Sequence, residues 1–258
     1  MYKYAWWAPN EGKDAILARL ARRIAGPAAA NNLREAWAFV SQAITNSPEM
    51  PNYFGGPYYL GPAHPMCADE KAELAKMFQA KGKFGAHVLS GPTCTPLQAS
   101  RGYRRMEQAL LKAVEKLAAA EPLVPPRCTL TFQAEALPAR WFYHIARTHA
   151  NFYESCLLRE FFADFARQQS PSAAKLAEAQ ARYDRWRAVL TDERGNTLAA
   201  IPVVQQDPRL DVRYGFGGAA LAPAPEMMRA KLKLLDHELD QFLPSIARRC
   251  GLDAHNPP

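Results

Sequence analysis

The sequence predicts a mainly α fold with a minor β component, and three observations carry that expectation. Apolar residues recur at helical spacing over about seven segments. Proline and glycine cluster between those segments and set their ends. Only three or four short runs have the alternation or β-branching of strands. An α+β arrangement is the alternative class.

The elements follow in order. Ile16, Leu17, Leu20 and Ile24 mark a first helix from about Asp14 to Ala25, stopped by Gly26-Pro27. Leu33, Trp37, Val40 and Ile44 share a face of a second, from Leu33 to Ile44. Residues 47–65 are too rich in proline and glycine for regular helix, yet they hold Tyr53, Phe54, Tyr58 and Tyr59. Disordered linkers usually lack aromatics, so this reads as an ordered loop. A third helix is expected over Asp69–Ala80. Thr95-Pro96, a cap followed by proline at the first helical position, opens a helix reaching Ala119. Pro122, Pro125 and Pro126 break the chain. Cys128–Phe132 alternates as a strand does, and a long helix covers Arg140–Arg167. Another runs from Ser172 to Leu190, capped by Ser170 with Pro171 first, and Gly195-Asn196 ends it. Thr197–Val204 and Leu210–Phe216 are expected strands. Pro225 opens a last helix to Phe242, which Pro244 bends or ends.

The 258 residues fit one helical domain, 1–258, with a natural subdivision into 1–122 and 127–258 at the proline break. The five cysteines are odd in number and spaced too widely for a CxxC zinc motif or a disulfide framework, which favours a reducing compartment. The opening residues lack the apolar run of a signal peptide, and no stretch approaches the roughly 18 apolar residues of a membrane span. A cytoplasmic protein with no membrane partner is the expectation.

The net charge is +7. Residues 61–127 hold ten Lys and Arg against six Asp and Glu, more than half of the excess. Here Lys81, Lys83, Arg101, Arg104, Arg105 and Lys112 are interleaved with Phe84 and Tyr103. Arg101, Arg104, Arg105 and Lys112 fall at helical spacing and would form a basic ridge. Guanidinium groups pair with phosphate and aromatic rings stack on bases. Arg213 and Tyr214, beside the glycines at 215, 217 and 218, could add a phosphate contact. The leading expectation is a nucleic-acid-binding or nucleic-acid-processing component, RNA-binding among the options, working as a subunit of a larger assembly.

The alternative is a helical small-molecule enzyme, in its metal-dependent form an oxidoreductase using iron or another metal. Its candidate ligands are His149, Glu154, His237 and Glu238. Against it, His144 and His149 are five residues apart and diverge by about 140° around a helix, so they cannot act as a ligand pair. No Glu-x-x-His motif occurs. The bland expectation puts His149 in the core and His144 at the surface. No cofactor is expected under the leading reading. An adaptor that offers its aromatic loop to protein partners is the third option. The chain has no G-x-S-x-G nucleophile motif.

Overall fold

The computed structural model of the protein describes residues 12–48, 60–78, 94–211 and 222–254. Among these lie seven α-helices and no strand: α1 (Lys13–Ala25), α2 (Ala30–Thr45), α3 (Pro96–Ala120), α4 (Thr129–Phe165), α5 (Ala173–Gln206), α6 (Ala224–His237) and α7 (Leu243–Cys250). Short 3₁₀ turns occupy Gly61–Ala63, Glu121–Leu123, Pro126–Cys128 and Pro208–Leu210. Glu73–Lys76 is a single helical turn, and Glu238–Phe242 is a π-helical turn joining α6 to α7.

The mainly α expectation holds, and no strand of the expected minor β component occurs among the described residues. Cys128 closes a 3₁₀ turn and 129–132 begin α4, where Thr131 donates to the carbonyls of Cys128 at 2.9 Å and Ile24 at 2.8 Å. α4 therefore starts well before Arg140 and carries Pro138 inside it. Residues 197–204 are helical too: α5 runs through Gly195-Asn196 and Pro202 to Gln206. The cause is tertiary. Asn196 and Thr197 are buried, and Thr197 Oγ1 donates to the Glu193 carbonyl one turn back at 2.9 Å. Buried contacts of this kind override the turn preference of Gly-Asn and the strand preference of Val and Ile. Of the expected strand at 210–216, Leu210 closes a 3₁₀ turn and 212–216 lie outside the described residues. So do the opening segment Tyr2–Trp7 and the aromatic loop Asn52–Tyr59.

Two start signals can be compared with the structure. Thr95 and Gln98 form a reciprocal capping box: the Thr95 N–H donates to Gln98 Oε1 at 2.9 Å and the Gln98 N–H to Thr95 Oγ1 at 3.3 Å. At α5 the cap is Ser172, which accepts from the Lys175 N–H, rather than Ser170.

The chain divides into two compact units. One comprises Met1–Ser47 and Arg105–Tyr143, the other Pro48–Arg104 and His144–Pro258. The first is built on small residues: Ala21, Ala25, Ala29, Ala30, Ala36, Ala113, Ala120 and Ala136 are buried around Leu33, Leu117 and Phe132. Side chains this short bring helix axes close together. Gly26 adopts φ +83°, and Pro125 packs where its side chain would be. The second unit has an aromatic core. Trp186 stacks on Phe162 with centroids 5.6 Å apart, meets Phe242 edge-on at 6.0 Å, and donates through its indole nitrogen to Ser155 at 2.8 Å.

Candidate functional site: a buried polar layer

Within the second unit, three helices turn polar side chains inward. On α4, His144, Thr148, Asn151 and Ser155 recur at spacings of four, three and four, one seam of a helix, and all are buried. On α5, Glu193, Asn196 and Thr197 occupy one turn of the facing seam. On α6, the buried face reads Ala224, Met227, Met228, Lys231, Leu234, Leu235, and Glu238 continues it into the π turn. Lys231 thus sits in the middle of an otherwise apolar seam.

Lys231 and Glu193 are both fully excluded from solvent and form an ion pair. Lys231 Nζ also donates to the Pro62 carbonyl at 2.8 Å. Glu193 accepts from Thr148 Oγ1 at 2.6 Å and from Asn151 Nδ2 at 2.8 Å. Asn196 Nδ2 donates to Thr148 Oγ1 at 3.0 Å and to the His144 carbonyl at 3.1 Å, while His144 Nδ1 donates to Asn196 Oδ1 at 2.8 Å. Burial pushes the Lys231 ammonium below its ordinary range although Glu193 pulls the other way. The same cause lowers His144.

The network extends toward the surface from Asn151. Asn151 Nδ2 also donates to Asp192 at 2.8 Å, and its oxygen accepts from Arg104 Nη2 at 2.9 Å. Arg104 donates to Glu154 at 3.2 Å, which Arg185 grips with Nε at 2.5 Å and Nη2 at 2.8 Å. Arg147 pairs with Asp192, Nε to Oδ2 at 3.0 Å. Burial of the Asp192 carboxyl opposes ionisation, but its bonds from Arg147 and Asn151 outweigh that and hold its pKa low.

Glu238 adjoins this network. One oxygen accepts from the Asp69 N–H at 3.3 Å, and the other has no partner among the described residues. The group is fully buried, so desolvation lifts its pKa to about 8 against the backbone N–H bonds from Asp69 and Ala68 and the Lys231 charge, with the Asp69 carboxylate adding to the rise. Asp69 in turn accepts from His237 Nε2 at 3.1 Å. Cys67, buried and at φ +50°, lies within electrostatic reach of both Glu238 and Lys231, and burial pushes its thiol well up. His149 is buried with Nδ1 donating to the Ile145 carbonyl at 2.7 Å and its ring 4.3 Å from Tyr103. Burial lowers its pKa to about 4, so it is neutral at ordinary pH.

The sequence-expected site residues fall as follows. Arg101, Arg105 and Lys112 are exposed on α3, with Lys112 5.8 Å from the Phe39 ring. Tyr103 is only 2% exposed, against His149 and Tyr153. Arg104 turns to Asn151 and Glu154. Lys81, Lys83, Arg213 and Tyr214 lie outside the described residues. The four candidate metal ligands do not converge: His149 faces Tyr103, Glu154 is taken by two arginines, and His237 pairs with Asp69. Among the described residues, no three of His, Cys, Asp and Glu gather to hold a metal ion. His144, expected at the surface, is inside. No helix among the described residues is long and apolar enough to cross a membrane.

Lys231, Glu193, Asn151 and Thr148 are polar, so apolar periodicity does not single them out. Two signals were there: the four-three-four polar stripe on α4, and a lysine in register with Met227, Met228, Leu234 and Leu235. Compared with family models, curated proteins and solved structures, the chain matches none.

Proposed function

We propose that the protein is a helical small-molecule enzyme that works by proton transfer at this buried layer. Glu238 is the proton donor and acceptor, and the Lys231–Glu193 pair holds a bound molecule beside it. One observation carries the reading: a fully buried Lys–Glu pair adjoins a carboxyl group with one oxygen still unpartnered among the described residues. Such a pair is a poor stabilising device, because apolar side chains of the same volume commonly serve as well or better. Buried ionisable groups with displaced proton affinities gather where chemistry needs them. The π turn that presents Glu238 is a further irregularity of the kind frequent at working sites.

The test is ligand-dependent unfolding. A panel of small metabolites is screened for a rise in unfolding temperature. A ligand at one hundred times its Kd adds about 2.7 kcal/mol, a shift of several degrees. At least one chemical class should shift the wild type, and the shift should vanish in Glu238→Gln. A wild type unmoved by the whole panel would sink the reading.

The basic surface supports a second reading, nucleic-acid binding through Arg101, Arg105 and Lys112 on α3. It receives less support because Arg104 is held by a carboxylate and Tyr103 has almost no exposed face for a base to stack on. It predicts affinity for single-stranded RNA that falls steeply with salt.

A further inference from the structure

We propose that Lys231 forms a covalent imine with a short, uncharged aldehyde or ketone, and that Glu238 supplies the proton that turns the carbonyl oxygen into water. This inference rests on the small-molecule reading above and gives it a substrate class. Lys231 is the one fully buried lysine among the described residues. An amine must lose its proton to attack a carbonyl, and desolvation favours the neutral form, as in lysines that act by imine formation. Glu193, on the same nitrogen, is the base to receive that proton.

The step balances without any outside oxidant or reductant. The Lys231 ammonium passes one proton to Glu193, and its lone pair forms the carbon–nitrogen bond. The carbonyl π electrons move to oxygen, which takes the proton of Glu238. The adduct nitrogen returns its extra proton to the Glu238 carboxylate. The hydroxyl then leaves as water, protonated by Glu238, as the nitrogen lone pair closes the double bond. Glu193 passes its proton, by way of the released water, to the Glu238 carboxylate, which restores both carboxyl groups. The outcome is a protonated imine and one water from one carbonyl and one ammonium.

The charge balance of the layer selects an uncharged substrate. The Lys231 cation is matched by Glu193, and a protonated Glu238 adds no charge. The nearest guanidinium groups in the network, Arg104 and Arg147, are engaged by Glu154 and Asp192. Among the described residues of the layer, no cation is left over for a carboxylate or phosphate on the substrate. The remaining contact of the amine is the Pro62 carbonyl, a main-chain group of the short turn Gly61–Ala63 that an incoming carbonyl compound would displace.

The experiment treats the full chain with glycolaldehyde, and separately with pyruvate as the charged counterpart. Sodium borohydride follows, then peptide mass mapping. The expected result is a hydroxyethyl group on Lys231 in preference to the exposed Lys13 and Lys175, with pyruvate trapped far less. Glu238→Gln should slow trapping by about 100-fold or more, the least expected for loss of a general acid, while its circular dichroism stays that of the wild type. Label confined to exposed lysines, an unchanged rate in Glu238→Gln, or preferential trapping of pyruvate would each overturn the proposal. If no imine forms but a panel ligand still raises the unfolding temperature of the wild type and not of Glu238→Gln, only the covalent step falls. If neither is seen, the acid–base reading falls with it.

Discussion

The Lys231–Glu193 pair makes an unusual stability prediction. In Lys231→Met the carboxylate of Glu193 stays buried but keeps Thr148 and Asn151 as donors, so the loss sits near the low end of the range for breaking a buried pair, about 3 kcal/mol. In Glu193→Leu the ammonium keeps only the Pro62 carbonyl, and Thr148 and Asn151 each lose an acceptor, so the loss is about 5 kcal/mol. The double variant Lys231→Met/Glu193→Leu removes both charges. Thr148 then has no acceptor for its proton, while Asn151 still donates to Asp192, which leaves a cost of about 2 kcal/mol. The double variant should therefore be more stable than either single one. Urea denaturation at pH 7 measures this, with the buried Trp186 reporting the unit concerned. If the double variant loses as much as the singles combined, or if each single lies within about 0.5 kcal/mol of wild type as an ordinary surface change would, the two groups are not a coupled buried pair.

Further outcomes follow from other parts of the chain. Glu238, with its pKa raised from 4.5 to about 8, binds more protons folded than unfolded in that window. Stability should fall as pH rises through it, by up to about 1.4 kcal/mol per pH unit, and Glu238→Gln should flatten the fall when unfolding is followed from pH 5 to 9. His149, lowered from 6.5 to about 4, works in the opposite sense: the unfolded chain binds the extra proton, so stability drops as pH falls through that window, and His149→Asn should remove the drop. Gly26→Ala places a Cβ 2.6 Å from Pro125 Cδ at a positive φ and should cost about 2 kcal/mol or more in thermal unfolding. Gly195→Ala, mid-helix with open space around it, should instead gain about 0.5–1 kcal/mol. Reversing Arg101 and Arg105 to Glu should leave small-molecule binding unchanged; anisotropy with labelled single-stranded RNA would show whether those residues carry nucleic-acid affinity.

Apolar periodicity found the helices, because a buried stripe on α1, α2 or α3 must repeat as the helix turns. It failed where tertiary structure spoke louder than local preference. Gly195-Asn196 looks like a helix stop, and nothing local says that Asn196 will be buried against His144 and Thr148. Pro202 and the valines after it look like the end of a helix and a strand, yet α5 carries them to Gln206. The basic stretch was legible as charge, but charge does not say which partner an arginine finds. Arg104 lies fifty residues from Glu154, and only the folded chain brings them together. The polar layer was legible in principle. A helical seam interrupted by polar residues at the same period is still a seam, and its polar members must then face one another.

That last point bears on what the layer is for. Thr148, Asn151, Asn196 and Glu193 satisfy one another, and such a closed set could exist only to fix how α4 meets α5. Glu238 does not fit that account. It belongs to the same buried face as Lys231, yet one oxygen has no partner among the described residues, and its proton is held far above the usual carboxylate range by desolvation. A glutamine or methionine there would serve packing without a buried acid. A carboxyl group that keeps its proton near neutral pH and lies within electrostatic reach of a buried amine is suited to the proton transfer proposed for it. The Lys231 seam and the π turn place it there. The functional reading stands on that residue rather than on the number of polar groups around it.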